Sequence, residues 1–233
     1  MLPVAILAGG LATRLGPLTE TVPKSLIPID GNPFVAHQLR LLQRSGIERV
    51  ILCVGYLGEQ IERAIGDGRA LGMRIEYSFD GASLKGTAGA IRMALPKLGE
   101  SFFVMYGDSY LLCDYSAVER EFFRCRKLGL MTVFRNDGQW DASNVELLDD
   151  RILAYSKKNR NSRMRYIDYG LGVFKAEAFA RSRAADLADV YAELLDAGEV
   201  TAVEVNERFY EIGSRAGLEE TKTFLSQRGD ARK

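Results

Sequence analysis

The chain has 233 residues, 47% of them apolar and 27% charged, and its 31 basic and 31 acidic side chains cancel. That length suits one α/β domain with a sizeable core. The balanced charge has no block of one sign and no apolar run reaches the length of a spanning helix, so neither a nucleic-acid tail nor a membrane patch is expected.

Pro3-Val4-Ala5-Ile6-Leu7-Ala8 predicts a strand over 2–8; without a basic stretch or a cleavage site it reads as a core strand and not a signal peptide. A helix is predicted over 33–45, with Asn32 as N-cap, Pro33 at N1 and Ser45-Gly46 as its stop. Strand 49–54, helix 58–66 and strand 73–78 follow. Gly86-Thr87 opens a helix through Leu95, stopped by Pro96, and strand 101–106 closes on Gly107-Asp108. A helix over 114–127 and a strand over 130–134 complete this alternation, which argues a mostly parallel sheet.

After residue 135 the pattern changes. Strands over 144–148, 151–156 and 166–174 read as a meander; helices 176–182 and 187–197, strands 200–205 and 208–211, and a helix over 215–227 follow. The expected fold is α/β: a Rossmann-like mixed, mostly parallel sheet flanked by helices, in one continuous domain over 1–233. The cysteines Cys53, Cys113 and Cys125 are odd in number and lack CxxC spacing, as expected of small hydrophobes in a reducing cytoplasm. His37 lies in a helical pattern and reads as packed rather than catalytic.

The first strand opens into Gly9-Gly10-Leu11-Ala12-Thr13-Arg14-Leu15, and Pro23-Lys24 follows after a short loop. A strand running into a glycine-rich turn and two cations is suited to polyphosphate: backbone N–H groups approach the phosphates, and Arg14 and Lys24 add charge. The turn lacks the GxGxxG of a dinucleotide site and the GxxxxGK[ST] of a P-loop. Asp108 ends an apolar strand, where α/β sites gather, and is the first candidate ligand for a hard cation.

These residues resemble the signature loop of sugar-1-phosphate nucleotidyltransferases, the nucleotide-sugar pyrophosphorylases. The resemblance recurs in order along nearly the whole chain, at Gly86-Thr87-Ala88-Gly89-Ala90-Ile91, Tyr106-Gly107-Asp108, Tyr169-Gly170-Leu171-Gly172-Val173-Phe174 and Phe209-Tyr210-Glu211-Ile212-Gly213-Ser214. It implies a fold of the nucleotide-diphospho-sugar transferase type, with a nucleotide-binding half over 1–135 and a sugar-phosphate-binding half over 136–233. The short chain is similar to the stand-alone members, such as heptose-1-phosphate guanylyltransferases and N-acetylmuramate-1-phosphate uridylyltransferases.

The implied reaction joins a nucleoside triphosphate and a sugar 1-phosphate into an NDP-sugar and pyrophosphate, assisted by Mg²⁺ or Mn²⁺. Arg14, Lys24 and Asp108 would be catalytic, and Asp108 and Glu211 would hold the metal. Leu7, Ala8, Gly9, Gly10, Thr13, Gly86 and Thr87 would contact the nucleotide, and Asp80 could accept from a guanine N1–H and N2–H pair. Lys157 or Lys158, with Asp168 and Gly170, would bind the sugar phosphate. The attacking phosphate oxygen is already ionised, so the lack of a Ser/His/Asp or Cys/His constellation fits this chemistry.

The chain departs from the family pattern in four places. Glu211 stands where aspartate is usual, Asp168 where asparagine is frequent, Lys85 where leucine is usual, and Lys157-Lys158 where a Glu-Lys pair is frequent. Guanylyl or uridylyl transfer to a hexose or heptose phosphate is the favoured reading, and cytidylyl transfer on the same fold is its enzymatic rival. A non-catalytic sugar-nucleotide sensor would be expected to lose Arg14, Lys24 or the carboxylates, all of which are present. The sequence leaves monomer and homo-oligomer equally open.

Overall fold

The structure, a computed structural model, describes residues 1–10, 16, 21–81 and 83–228. Its elements are β1 (Val4–Leu7), β2 (Pro28–Ile29), β3 (Asn32–Pro33), α1 (Phe34–Arg44), β4 (Arg49–Val54), α2 (Gly58–Ile65), β5 (Arg74–Phe79), α3 (Gly86–Leu98), β6 (Ser101–Tyr106) and β7 (Ser109–Leu111). They continue with α4 (Tyr115–Cys125), β8 (Gly129–Arg135), β9 (Val145–Leu148), β10 (Arg151–Tyr155), β11 (Tyr166–Lys175), α5 (Ala176–Arg181), α6 (Leu187–Asp196), β12 (Val200–Val205), β13 (Phe209–Glu211) and α7 (Arg215–Arg228).

A mixed nine-stranded sheet organises the molecule. β1 runs parallel to β4 and β6, and β4 parallel to β5. Side-chain alternation along β1 sends Val4 and Ile6 into one core layer and Ala5 into the other, so helices cover both faces. Strands from both sides of residue 135 share this sheet.

The meander expectation holds only for the β9–β10 hairpin. β11 lies between β6 and β8, antiparallel to both, and β12 pairs parallel with β8. Tyr169, Leu171, Val173 and Phe174 are buried, and such an apolar strand is stable only inside the sheet. A register shift between Asp168 and Gly172 lets it change partners along its length, and Gly170 there has φ +96°.

Two boundary expectations are corrected. α3 runs past Pro96 to Leu98: Pro96 faces solvent, while Leu98 is buried in the core and anchors the last turn. Asn32 does not cap α1, because Ile29 and Asn32 pair in a hairpin around Asp30-Gly31, both at positive φ. The Asn32 side chain instead accepts from Arg40 Nη2 at 2.9 Å. His37 is buried with Nε2 3.0 Å from the Ile29 carbonyl oxygen, a packing role. Among the described residues no helix is long and apolar enough to cross a membrane.

Candidate active site

The C-terminal ends of β1, β4 and β6 carry the candidate chemistry. Parallel pairing brings them level: the Ala8 N–H donates to the Cys53 carbonyl at 2.8 Å and the Gly107 N–H to the Leu7 carbonyl at 3.0 Å. A Cβ at Gly107 would stand 2.6 Å from the Leu7 oxygen, so glycine is required where the two strand ends touch. Over these ends lies a cleft of about 270 Å³, lined by Leu7, Ala8, Gly9, Gly10, Asp80, Gly86 and Thr87, with Lys24 and Asp108 also on its wall. Thr13 and Arg14 lie outside the described residues.

Lys24 opens a single 3-10 turn after Pro23, and its Nζ donates to Asp108 Oδ2 at 2.9 Å. Asp108 occupies the turn between β6 and β7. That turn is clamped from below by Gln38 of α1, which is fully buried: its Nε2 donates to the Tyr106 carbonyl at 3.2 Å and the Ser109 carbonyl at 2.7 Å. Among the described residues Gln38 Oε1 has no partner, so the two donations orient the amide.

Glu211 reaches Asp108 through a pairing the sequence did not announce. The three-residue strands β7 and β13 run antiparallel with Glu211 opposite Ser109, and the Ile212 N–H donates to the Asp108 carbonyl at 2.9 Å. A Cβ at Gly213 would lie 2.6 Å from Glu211 Oε2 and 3.1 Å from Asp108 Oδ2, so glycine leaves these two carboxylate oxygens facing a common space. Glu211 also accepts from the Gly213 N–H, from the Ser214 N–H at 3.2 Å and from Ser214 Oγ at 2.6 Å.

This donor set suits a hard divalent cation. Mg²⁺ takes one or two carboxylates and fills its other positions with water and phosphate oxygens. Among the described residues no group of three or more His, Cys, Asp or Glu side chains gathers at a metal position; Asp108 and Glu211 are the candidate pair because their oxygens approach the same point beside Gly213.

A second cleft, of about 830 Å³, shares Tyr106 and Asp108 with the first and extends beneath β11 and β13. Lys157, Asp168 and Gly170 line it; Lys158 is exposed and does not. Lys157 Nζ donates to the Tyr106 hydroxyl at 2.9 Å, lies 4.7 Å from that ring's centroid and is 3.8 Å from Asp168 Oδ2. Burial pulls the Lys157 ammonium down, but Tyr106 and Asp168 outweigh it and the net shift is upward, so the side chain stays cationic.

The Asp168 carboxylate is only 4% exposed. It accepts from the Tyr155 hydroxyl at 3.1 Å and from the Gly170 N–H at 3.1 Å. Each carboxylate oxygen thus already has a partner within the protein. Of the basic residues between 157 and 165, Arg163 pairs with Glu146 at 2.9 Å and Arg165 with Asp137 at 2.7 Å, which leaves Lys157 and Arg160 at the cleft.

At the far end of the first cleft, Gly86 and Thr87 begin α3. A distant segment braces them: the Ala88 N–H donates to the Ala185 carbonyl at 2.8 Å and the Leu187 N–H to Thr87 Oγ1 at 2.7 Å. Asp186 thereby joins the wall of the cleft, a residue sequence reasoning missed because nothing local marks it. Asp80 is buried there, accepting from the Lys85 N–H at 3.3 Å, and burial raises its carboxyl above the ordinary range. Cys53 beside it is buried, and burial pushes its thiol up to about 12, which fits packing and not nucleophilic chemistry.

Comparison with known proteins accords with this geometry. The family model for nucleotidyl transferases matches residues 4–211, and the chain belongs to that family. It is 42% identical over 113 residues to an N-acetylmuramate alpha-1-phosphate uridylyltransferase of Neisseria meningitidis, covering 48% of this chain and 49% of that one. It is 33% identical over 179 residues to a mannose-1-phosphate guanylyltransferase of Mycobacterium tuberculosis, covering 76% of this chain and 49% of that one. The matched stretches thus span about half the length of these relatives. The fold superposes on HddC from Yersinia pseudotuberculosis complexed with GMP-PN with a TM-score of 0.80 at 22% identity, over 97% of this chain and 100% of that one.

Proposed function

We propose that this chain transfers a nucleotidyl group to a sugar 1-phosphate, releasing pyrophosphate. The observation that carries the reading is the convergence of Lys24, Asp108 and Glu211 where the two clefts meet. The glycine-rich cleft takes the nucleoside triphosphate, and the Lys157 cleft takes the sugar phosphate. A sugar-phosphate oxygen forms a bond to the α-phosphorus while the bond from that phosphorus to the bridging β-oxygen breaks. Pyrophosphate leaves with the electron pair. The nucleophile is already an anion, so no proton needs to be removed from it.

The protein's task is then to hold two anions against their repulsion. Lys24 and Lys157 supply fixed positive charge from either side, with Arg14 assigned to the same task from the signature loop. Lys157, and not Lys158, is the sugar-phosphate cation, because only Lys157 faces the cleft. Asp168 acts behind Lys157, holding it with Tyr106 and Tyr155. Asp108 and Glu211 would hold Mg²⁺ or Mn²⁺, which when bound supplies charge neutralisation at the phosphates.

Asp80 gives the finer reading of the base. A buried carboxylate accepts from N–H groups and repels carbonyl oxygens. Guanine presents N1–H beside N2–H, whereas uracil presents one N–H between two carbonyls. Guanylyl transfer is therefore favoured over uridylyl transfer. A matrix of four nucleoside triphosphates against a panel of sugar 1-phosphates, reading pyrophosphate release, tests both readings: GTP alone should support turnover. Turnover with UTP in preference to GTP would overturn the assignment of the base, and no turnover with any pair would overturn the reaction.

A further inference from the structure

One wall of the second cleft has no part in the chemistry above. Four side chains stack from its rim into the interior: Trp140, Arg208, Tyr210 and Phe224. The Arg208 guanidinium carbon lies 3.5 Å from the centroid of the Trp140 ring and 4.9 Å from that of Tyr210. Tyr210 stacks on Phe224 of α7 at 3.8 Å with an interplanar angle of 17°, and Phe224 packs against the core. Glu220 of α7 accepts from Arg208 Nη2, which fixes the guanidinium in its plane.

The loop that carries Trp140 is equally constrained. Its own N–H donates to Asn136 Oδ1 at 3.2 Å, and the buried Asn136 donates to the Asp141 carbonyl at 2.6 Å and Ser143 Oγ at 3.0 Å. Trp140 is nonetheless 46% exposed, and it lines the cleft together with Gln139 and Asp141. The largest side chain of the protein is thus held rigid, with one face on a guanidinium and much of its surface left to water.

An apolar ring exposed on a cleft wall, unlike one scattered on the outer surface, offers area that a bound ligand covers. A flat apolar plate edged by an amide and a carboxylate matches a sugar ring, whose C–H face is apolar and whose rim carries hydroxyls. Its order is set before binding, so little further entropy is lost. The phosphate end of the same ligand is accounted for by Lys157 in the same cleft. Arg208 immediately precedes β13 and lies three residues before Glu211, so the clamp on the plate and the candidate metal carboxylate sit on one short segment.

We propose that Trp140, clamped by Arg208, is the platform for the sugar ring of the sugar 1-phosphate and selects which sugars are accepted. The inference rests on the nucleotidyl-transfer reading and adds the residue that reads the acceptor.

Trp140 is the chain's one tryptophan, so its emission reports on this position alone. Full-length protein is titrated with glucose 1-phosphate, mannose 1-phosphate, N-acetylglucosamine 1-phosphate and inorganic phosphate. The sugar phosphate that supports turnover should shift or quench the emission, and inorganic phosphate should not. In kinetics with that sugar phosphate, Trp140→Ala should raise its KM about tenfold while the KM for the nucleoside triphosphate stays within about twofold. Trp140→Phe should recover most of the loss. Wild-type turnover with an unchanged sugar-phosphate KM in Trp140→Ala would overturn the platform and leave the reaction standing. Both KM values rising together with a loss of thermal stability would mark Trp140 as a structural brace and overturn it too. No pyrophosphate from the wild type with any pair would overturn the reaction and the platform together.

Discussion

Lys24 Nζ stands 2.9 Å from Asp108 Oδ2, which joins the loop behind the glycine-rich turn to the end of β6. Both side chains keep some solvent contact, at 20% and 33% exposure, so the pair adds little to stability. Its value lies in holding a cation where phosphates are expected. Lys24→Ala should therefore cut turnover by about 10²–10³ while the melting temperature changes little. Pyrophosphate release and a thermal melt measure the two effects, and an unchanged rate would make Lys24 a loop contact only.

Asp108→Asn keeps the size of the side chain and removes its charge. Turnover should fall to near background at every Mg²⁺ concentration, because a neutral amide is a poor ligand for a hard cation. Glu211→Gln should act differently, since Glu211 accepts from two backbone N–H groups and a hydroxyl. An amide there can still accept from the N–H groups, but its NH2 meets the Ser214 hydroxyl that donates to the carboxylate and the charge-assisted acceptor is lost, so the variant should lose about 1–3 kcal/mol of stability as well as Mg²⁺ affinity. Chemical denaturation and a Mg²⁺ titration separate the two effects. A Glu211→Gln enzyme with normal Mg²⁺ dependence would remove Glu211 from the metal role.

Gln38 holds both carbonyls that flank Asp108's turn, at Tyr106 and Ser109. Gln38→Met fills similar volume but leaves two buried carbonyls without a donor, at a cost of about 1–3 kcal/mol. Gln38→Glu should be worse, because it sets a carboxylate against those oxygens. If the clamp positions Asp108, the Mg²⁺ concentration for half-maximal rate should rise in Gln38→Met. Lower stability with unchanged Mg²⁺ dependence would confine Gln38 to packing.

The Asp80 carboxyl is raised by burial, so the folded state holds its proton more tightly than the unfolded state does. Its contribution to stability is complete below the ordinary aspartate pKa of about 4 and is lost as pH rises through the folded value. Asp80→Asn removes that loss. The variant's melting temperature relative to wild type should therefore be higher at pH 7 than at pH 4. The same variant should discriminate less well against UTP, since the carboxylate that repels uracil carbonyls is gone. A melting difference independent of pH would contradict the burial argument.

Much of this was legible in the sequence. Strands 49–54 and 101–106 show their full extent as apolar runs between turn residues, strand 200–205 shows its extent as a β-branched stretch, and Asp108 is placed by its position after the second. The nearness of Glu211 to Asp108 was not legible as geometry. It depends on two three-residue strands far apart in the chain, too short to carry a periodic signal. Pro96 misled because a local breaker was overridden by the burial of Leu98. That Asp168 lines the cleft with Tyr155 and Gly170 already bonded to its oxygens was not legible, because residue type does not reveal a side chain's partners. Trp140 was hidden in a stretch of Asn, Asp, Gly and Gln that reads as a turn, although a lone tryptophan in such a stretch is a signal in itself.

The central claim is that Lys24, Asp108 and Glu211 meet where a nucleoside triphosphate and a sugar 1-phosphate react. The most direct measurement is pyrophosphate release by the wild type and Asp108→Asn, across four nucleoside triphosphates and a panel of sugar 1-phosphates, with Mg²⁺ and with chelator. The expected result is release with a matched pair, only with Mg²⁺ and only from the wild type. Release that persists in Asp108→Asn, or no release from the wild type with any pair, would contradict it.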